Sequence, residues 1–141
     1  YNMATLNRIH QKMAKALGEH GGRIDAIFFC PHSPDDGCDC RKPKPGLLHE
    51  ISERLKVGLA GVPVVGDSLS DLECADATGA LPVLVKTGKG PRTWPKLEAA
   101  QAQGSLLQTL VFDDLAAFTE SLLRGDLESA ITTARGHVSA D

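Results

Sequence analysis

Long hydrophobic runs are missing from this chain. None approaches the ~20 consecutive apolar residues of a membrane-spanning helix, and the first residues lack the pattern of a secretory signal. Aromatic side chains are scarce, one Trp, one Tyr and four Phe in 141 residues. No basic patch accompanies them, which removes the cationic, aromatic-studded surface of a nucleic-acid binder. Charge is nearly balanced, 15 Lys and Arg against 18 Asp and Glu, for a net −3. With no long run of either sign, neither an anionic membrane nor a nucleic acid is an expected partner. Internal repeats and low-complexity segments are absent too. What is left is a soluble, cytoplasmic, monomeric domain spanning 1–141 whose partner is a small molecule. Its 42% hydrophobic content suffices for an ordinary core, burying roughly two thirds of the unfolded surface. The chain opens on Tyr1, with Met3 at the head of a helical pattern, and is expected to be a fragment.

The apolar pattern alternates between short runs and helical stripes. Residues 3–17 place Met3, Leu6, Ile9 or His10, Met13 and Leu17 on one helical face, with Asn2 or Thr5 as cap. "IDAIFF" (24–29) reads as a buried strand entering a polar loop, and Pro45-Gly46 open a helix with Leu47, Leu48, Ile51 and Leu55 inward. "VPVVGD" (62–67) is a second strand, and Ser70 with Glu73 form a capping box for the helix after it, which Gly79 closes. "LPVLVKTG" gives a third strand, 97–103 a helix, and "LLQTLVF" a fourth strand; Asp113 or Asp114 caps a helix facing inward with Leu115, Phe118 and Leu122. The tail, 125–141, is weakly patterned, a frayed helix at most, and has no assigned role. Continuous apolar strands alternating with helices predict parallel βα units, hence a layered α/β sheet. Ligands bind such sheets beyond the carboxyl ends of the strands, which puts the loops after Phe29, Val65 and Val85 on one edge.

Three of the four cysteines sit in the loop 30–40, as Cys30-x-His32, five residues, then Cys38-x-Cys40. Three thiolates and one imidazole make the full tetrahedral set of a closed zinc site, with no position left for water. A reduced loop or a single disulfide is the plainer alternative. Pro31, Pro34, Asp35, Asp36 and Gly37 form turns easily, so the chain between the ligand pairs can double back. Zinc would order a loop too polar to order itself. It would also fix where Arg41 and Lys42, directly after Cys40, point; the alternative for these two is a solvated basic pair. Cys74 stands apart, as a small core residue.

"VVGDSLSD" ends a strand with Gly66-Asp67 and places Asp71 four positions on. Asp67 at a strand's carboxyl end can bind a hard cation such as Mg²⁺, although acids are also common at helix N-termini for dipole reasons. Together, "CRKPKPG" after one strand and "GDSLSD" after the next resemble two successive motifs of the haloacid dehalogenase superfamily of phosphatases. The loop C-P-H, C-x-C-R-K-P and the downstream "VLVKTGKG" resemble its zinc-loop, histidinol-phosphatase-like branch. The likeness covers roughly 1–123. It implies a Rossmann-like parallel sheet with helices on both faces. It implies a Mg²⁺-dependent hydrolase of phosphosugars, with a heptose bisphosphate ahead of histidinol phosphate as substrate, on the route to the heptose of lipopolysaccharide. By the same resemblance Lys42 steadies the nucleophile and the phosphoryl charge, Arg41 contacts the substrate's other phosphate, and Asp67 ligates Mg²⁺. Asp71 then orients Lys42 or the metal's waters, and Ser68 occupies a substrate-contacting position that is lysine in some relatives. Lys86 and Lys89 border the pocket or are simply solvated.

One element of the family is not here. Its reaction starts at an aspartate in a D-x-D motif on the first strand, and no D-x-D-G-[TV] string occurs in the chain. Asp35, Asp36 and Asp39 lie within the cysteine loop, none of them after a buried strand. The expectation is that the family's N-terminal strands precede this segment in the natural protein and that the 141 residues alone do not turn over. A zinc-stapled module that binds phosphosugars or a partner without catalysis is the alternative from another class.

Overall fold

The computed structural model describes residues 2–139. The ends of the expected 1–141 domain, Tyr1, Ala140 and Asp141, lie outside the described residues, as does the end of the expected tail. Helix α1 (Met3–Gly18) is followed by the cysteine loop, with a short 3₁₀ turn at Pro34–Asp36, and then by α2 (Gly46–Leu55). From there strands and helices alternate: β1 (Pro63–Gly66), α3 (Leu69–Asp76), β2 (Leu81–Val85), α4 (Gly90–Ala102), β3 (Leu110–Phe112), α5 (Leu115–Leu123) and α6 (Glu128–Ser139). The strands form one parallel sheet in the order β1-β2-β3, with Val65 beside Val83 and Val83 beside Leu110. The expected α/β class with a parallel sheet is what the chain adopts.

The sheet is covered on both faces because β2 is apolar at consecutive positions, and successive strand residues point to opposite sides. Leu81 and Val83 pack with Phe118 of α5, with Leu127 just before α6 and with Ala134 of α6. Leu84 packs the other way, with Leu72 of α3, Leu97 of α4 and Leu106. All of β2 is buried, and each such Leu or Val contributes roughly 1.5–3 kcal/mol by leaving water. The Phe112 and Phe118 rings meet edge to face, with centroids 5.6 Å apart.

Several elements differ from expectation, each for a local reason. Residues 24–29 are extended chain without a ladder partner, and Ile27 and Phe29 remain exposed; a short apolar run becomes a strand only where a neighbour pairs with it. Helix α1 forms, with the Asn2 side chain accepting the Thr5 backbone N–H at 2.9 Å, but its apolar stripe is uncovered and buries no residue. Helix α2 likewise has only half-buried Leu47, Leu48 and Ile51, with Leu55 exposed. Helix α4 begins seven residues earlier than the expected 97, with Pro91 in its first turn, where a missing N–H costs nothing. Only 110–112 of "LLQTLVF" are strand, because Leu106 takes φ +55° in a turn and drops into the core. On α5, Asp114 caps the Ala117 N–H at 2.7 Å as one of the two foreseen residues, but Phe118 alone of the three predicted face residues is buried and Leu115 is 59% exposed. The tail, given no role, folds as α6 and puts Leu127 and Ala134 into the core.

Candidate functional site

The loops after Phe29, β1 and β2 converge, as the parallel topology requires, on a cleft of about 460 Å³. It is lined by Phe29, Cys40, Arg41, Lys42, Asp67 and Asp71, among others. Two of its walls are built in different ways.

The first wall is the cysteine loop. Asp36 accepts the Ser33 backbone N–H at 2.8 Å across the 3₁₀ turn, and Gly37 follows at φ +66°, which sends Cys38 back over Cys30. Cys30, His32, Cys38 and Cys40 come together with all four ligand atoms within 4.8 Å of one another. Cys30 Sγ lies 2.9 Å from Cys40 Sγ, 3.4 Å from Cys38 Sγ and 3.7 Å from His32 Nδ1, and His32 Nδ1 lies 3.2 Å from Cys40 Sγ. No pair is at the ~2.05 Å of a disulfide. A tetrahedral ion with metal–sulfur bonds of about 2.3 Å separates its sulfurs by about 3.8 Å, so the set needs only a slight expansion to accept zinc. Burial raises the Cys38 thiol, but hydrogen bonding with Cys30 and Cys40 and with the Arg41 and Cys40 backbone outweighs it and holds the group at about 7. Cys40, hydrogen-bonded to Cys30 and further raised by burial and by Cys38, is pushed up to about 12. Three thiols this close do not all ionise unless a cation stands among them. Beyond Cys40, Lys44 Nζ donates to the Cys38 carbonyl at 3.2 Å and Gly46 N donates to the Asp39 carbonyl at 2.9 Å. Backbone occupies the space a Cβ at Gly46 would need, so only glycine lets α2 start this near the loop.

The second wall is the end of β1. Ser68 is the N-cap of α3 and Asp71 its third residue; the capping box is made by this pair and not by Ser70 and Glu73. Asp71 Oδ2 accepts the backbone N–H groups of Asp67 at 3.2 Å and Ser68 at 3.1 Å, and the Ser68 hydroxyl at 2.8 Å. Its other oxygen takes the Lys42 ammonium, so a residue of the cysteine-loop wall is ion-paired to one of the β1 wall. Burial would raise the Asp71 carboxyl, but the bonds from Lys42 and Ser68 prevail and hold it below the usual range. Cys74, behind this wall, is buried as expected; burial raises its thiol.

Asp67 is fixed from the third loop. Its Oδ2 accepts the Lys89 backbone N–H at 2.9 Å, and its carbonyl accepts the Thr93 hydroxyl at 2.8 Å. Gly88, at φ +57°, leaves room for that carboxylate where a side chain would sit. Oδ1 has no protein donor among the described residues and points to the chemistry of a hard cation, which takes one or two carboxylates and keeps several waters. Among the described residues, Asp67 is the one carboxylate with an oxygen left open there. Lys89 lines the cleft, whereas Lys86 does not: it lies over the Trp94 ring at 4.4 Å and pairs with Asp113 at 3.7 Å. Thr93, Ser70 and the Lys89 N–H were not foreseen in the site; for the Lys89 N–H the signal was the "KTGKG" turn, whose Gly88 leaves room for the Asp67 carboxylate.

Comparison with known proteins shows the family. A family model described as HAD-hydrolase-like matches residues 39–118. The chain is 52% identical over 123 residues to a D-glycero-β-D-manno-heptose-1,7-bisphosphate 7-phosphatase of Pseudomonas putida, covering 87% of the chain and 66% of that protein. It is 54% identical to the Bordetella bronchiseptica enzyme of the same name, over 88% of the chain and 66% of the relative. The crystal structure of the B. bronchiseptica D,D-heptose 1,7-bisphosphate phosphatase, complexed with magnesium and phosphate, superposes with a TM-score of 0.77 at 54% identity over 88% of this chain and 66% of that one. The phosphatase of the same name from Burkholderia thailandensis superposes with a TM-score of 0.62 at 42% identity, over 87% and 65%. The chain thus spans just under two thirds of the length of these relatives. No helix among the described residues is long and apolar enough to cross a membrane.

Proposed function

The chain belongs to the HAD-hydrolase-like family, and from that premise we propose that a protein of the relatives' length carrying these residues removes the C7 phosphate of D-glycero-D-manno-heptose 1,7-bisphosphate. The observation that carries this reading is the Lys42–Asp71 ion pair, which joins the two walls beside Asp67 in one cleft. Phosphoryl transfer needs little covalent help from a protein beyond a nucleophile; it needs positive charge placed where the equatorial oxygens gather negative charge. Lys42 supplies that charge. Asp71, ionised at neutral pH and held by two backbone N–H groups, keeps the ammonium aimed. Arg41, beside it on the same wall, meets the substrate's phosphate oxygens, and Ser68 offers its hydroxyl at the cleft's edge.

Asp67 would hold Mg²⁺ through its free oxygen, and the bound ion would offset phosphate charge as a Lewis acid. Cys30, His32, Cys38 and Cys40 would hold zinc, whose place is structural because all four of its positions are filled by protein. The accepting aspartate and its acid–base partner are assigned to the third of the relatives' length that these residues do not span. The protein acts without nucleic acid or membrane and as a monomer in the cytoplasm.

The test is phosphate release by the protein of the relatives' length with Mg²⁺, comparing heptose 1,7-bisphosphate with histidinol phosphate. Preference for the heptose compound is expected. Preference for histidinol phosphate would transfer the substrate assignment to that branch, and inactivity on both would leave a zinc-stapled binding module.

A further inference from the structure

Polar side chains seldom enter this core. Among the described residues two are buried, Ser121 and Thr93, the latter only 4% exposed. The Ser121 hydroxyl donates locally, to the Asp126 carboxylate at 3.4 Å five positions on. Thr93, on the face of α4 that also buries Gly90 and Leu97, reaches 26 positions back in the chain, to the Asp67 carbonyl at 2.8 Å. Its hydroxyl also lies 3.1 Å from the Lys89 carbonyl. That carbonyl already accepts the Thr93 backbone N–H at 3.1 Å, so α4 does not need the hydroxyl to complete its first turn. The hydroxyl's loss of water is offset by one bond to the main chain of a candidate metal ligand. The strands on either side of that bond differ in support. Strand β1 is half-buried along its length, whereas every residue of β2 is buried. Helix α4 is seated on β2: the Gly90 N–H donates to the Thr87 carbonyl at 2.8 Å, and Val85 backbone fills the space that a Cβ at Gly90 would need. Two bonds from α4 therefore tie the less supported strand end to the better supported one. Thr93 holds the Asp67 main chain, and the Lys89 N–H, at 2.9 Å, holds Oδ2 of its carboxylate. Oδ2 is also closed in by Gly88, which leaves Oδ1.

Resting on the proposed Mg²⁺-dependent phosphatase reading, we propose that Thr93 is a positioning residue for Asp67. Its hydroxyl, together with the Lys89 N–H, keeps Asp67 a one-oxygen ligand and so sets a preference for Mg²⁺ over Ca²⁺ in the cleft. A carboxylate restricted to one oxygen suits the small octahedral shell of Mg²⁺. It serves Ca²⁺ poorly, because Ca²⁺ collects about six to eight oxygens and often takes both from one carboxylate. Without the hydroxyl the end of β1 is free to shift against α4. The Lys89 N–H then loses its register with Oδ2, and both carboxylate oxygens can turn to one cation.

The test uses the protein of the relatives' length, free of substrate, and reads the ratio of its Mg²⁺ to its Ca²⁺ association constant by titration calorimetry. Thr93→Val keeps the shape of the side chain and removes the hydroxyl. It is expected to weaken Mg²⁺ binding about 10- to 100-fold, the usual loss for an outer partner of a metal ligand, and Ca²⁺ binding clearly less, so that the ratio falls about 10-fold. Thr93→Ser, which keeps the hydroxyl, should return the ratio to that of the parent. A purely structural role would lower the unfolding midpoint of Thr93→Val and leave the ratio unchanged, and that result overturns the proposal. Equal losses in the Val and Ser variants, or a parent that binds no Mg²⁺, overturn it too. Should Thr93→Val not fold, Thr93→Ala against Thr93→Ser decides on the same ratio. Phosphate release from heptose 1,7-bisphosphate is scored separately. A parent that cleaves nothing while the ratio falls in Thr93→Val sinks the phosphatase reading and leaves the positioning role; an active parent whose ratio survives Thr93→Val does the reverse.

Discussion

The two walls of the cleft place charge by opposite means. Asp67 sits at the end of β1, next to a strand buried on both faces, and hydrogen bonds from Lys89 and Thr93 hold it. Lys42 stands on a loop whose neighbours are turn formers and charges, where only four ligand atoms converge. Apolar burial and metal ligation are interchangeable ways of making a side chain rigid, and on the proposed reading of the cysteine loop this chain uses one at each wall. The apolar interior beside β2 offers no ligands for an ion, and a polar loop has little area to bury.

The comparison breaks most sharply at the loop. Removing zinc with a chelator, or one ligand with Cys38→Ser, forfeits a contribution that in small zinc-folded peptides reaches about 10 kcal/mol or more. Residues 30–44 should then become the site of limited proteolysis, while the sheet still unfolds in one cooperative step. If the sheet melts with the loop, the walls are a single unit and the contrast is wrong. The converse experiment is Leu84→Ala in the core, expected to cost about 2–5 kcal/mol by denaturant titration while bound zinc, measured by mass spectrometry of the metal, stays in place. Across the cleft, Lys42→Ala in the protein of the relatives' length should lower kcat about 10²-fold, as for the loss of one charge-stabilising donor. A near-normal rate would take Lys42 out of the reaction. Asp114→Ala, which removes the cap of α5, should cost about 1 kcal/mol of stability and nothing in substrate preference.

The smallest effect concerns the pair that joins the walls. The folded-state pKa of Asp71 lies below its unfolded value. Its contribution to stability is therefore complete above the unfolded value and fades as pH falls through the folded one, because only the unfolded chain takes up the proton between them. Asp71→Asn should flatten the acid limb of a stability–pH curve below about pH 4. An acid limb identical to that of the parent would show that the pair contributes no stability.

The parts of the molecule that could be read from the residues are those in which spacing alone limits the geometry. Cys30, His32, Cys38 and Cys40 can converge in few ways, and "VVGD" had to leave a buried strand for a loop. The four ligands converge as expected and the strand does end at Gly66, although β1 is half-buried and not the buried strand expected; Asp71 meets Lys42 across 29 positions. What could not be read depends on partners distant in sequence. "IDAIFF" has the composition of a strand, but pairing is a property of two segments. The stripe of α1 is amphipathic, yet amphipathicity does not say whether anything covers it. The capping box was displaced by two residues because Ser70-x-x-Glu73 and Ser68-x-x-Asp71 are equivalent as patterns; the strand's exit into Gly66-Asp67 decides between them. Residues 125–139 look weakly patterned because few of them, Leu127 and Ala134 with the half-buried Ala130 and Ile131, reach the core.

Helix α6 also bears on how this protein should be handled. The family match ends at residue 118, and trimming the chain near that boundary is a natural choice for crystallisation or for swapping modules. Such a cut would take Leu127 and Ala134 with it and bare Leu81 and Val83, the middle of the sheet, to solvent. The shortened product would keep every ligand and charge of the cleft and still be sticky, poorly soluble and easily mistaken for a misassembled active site.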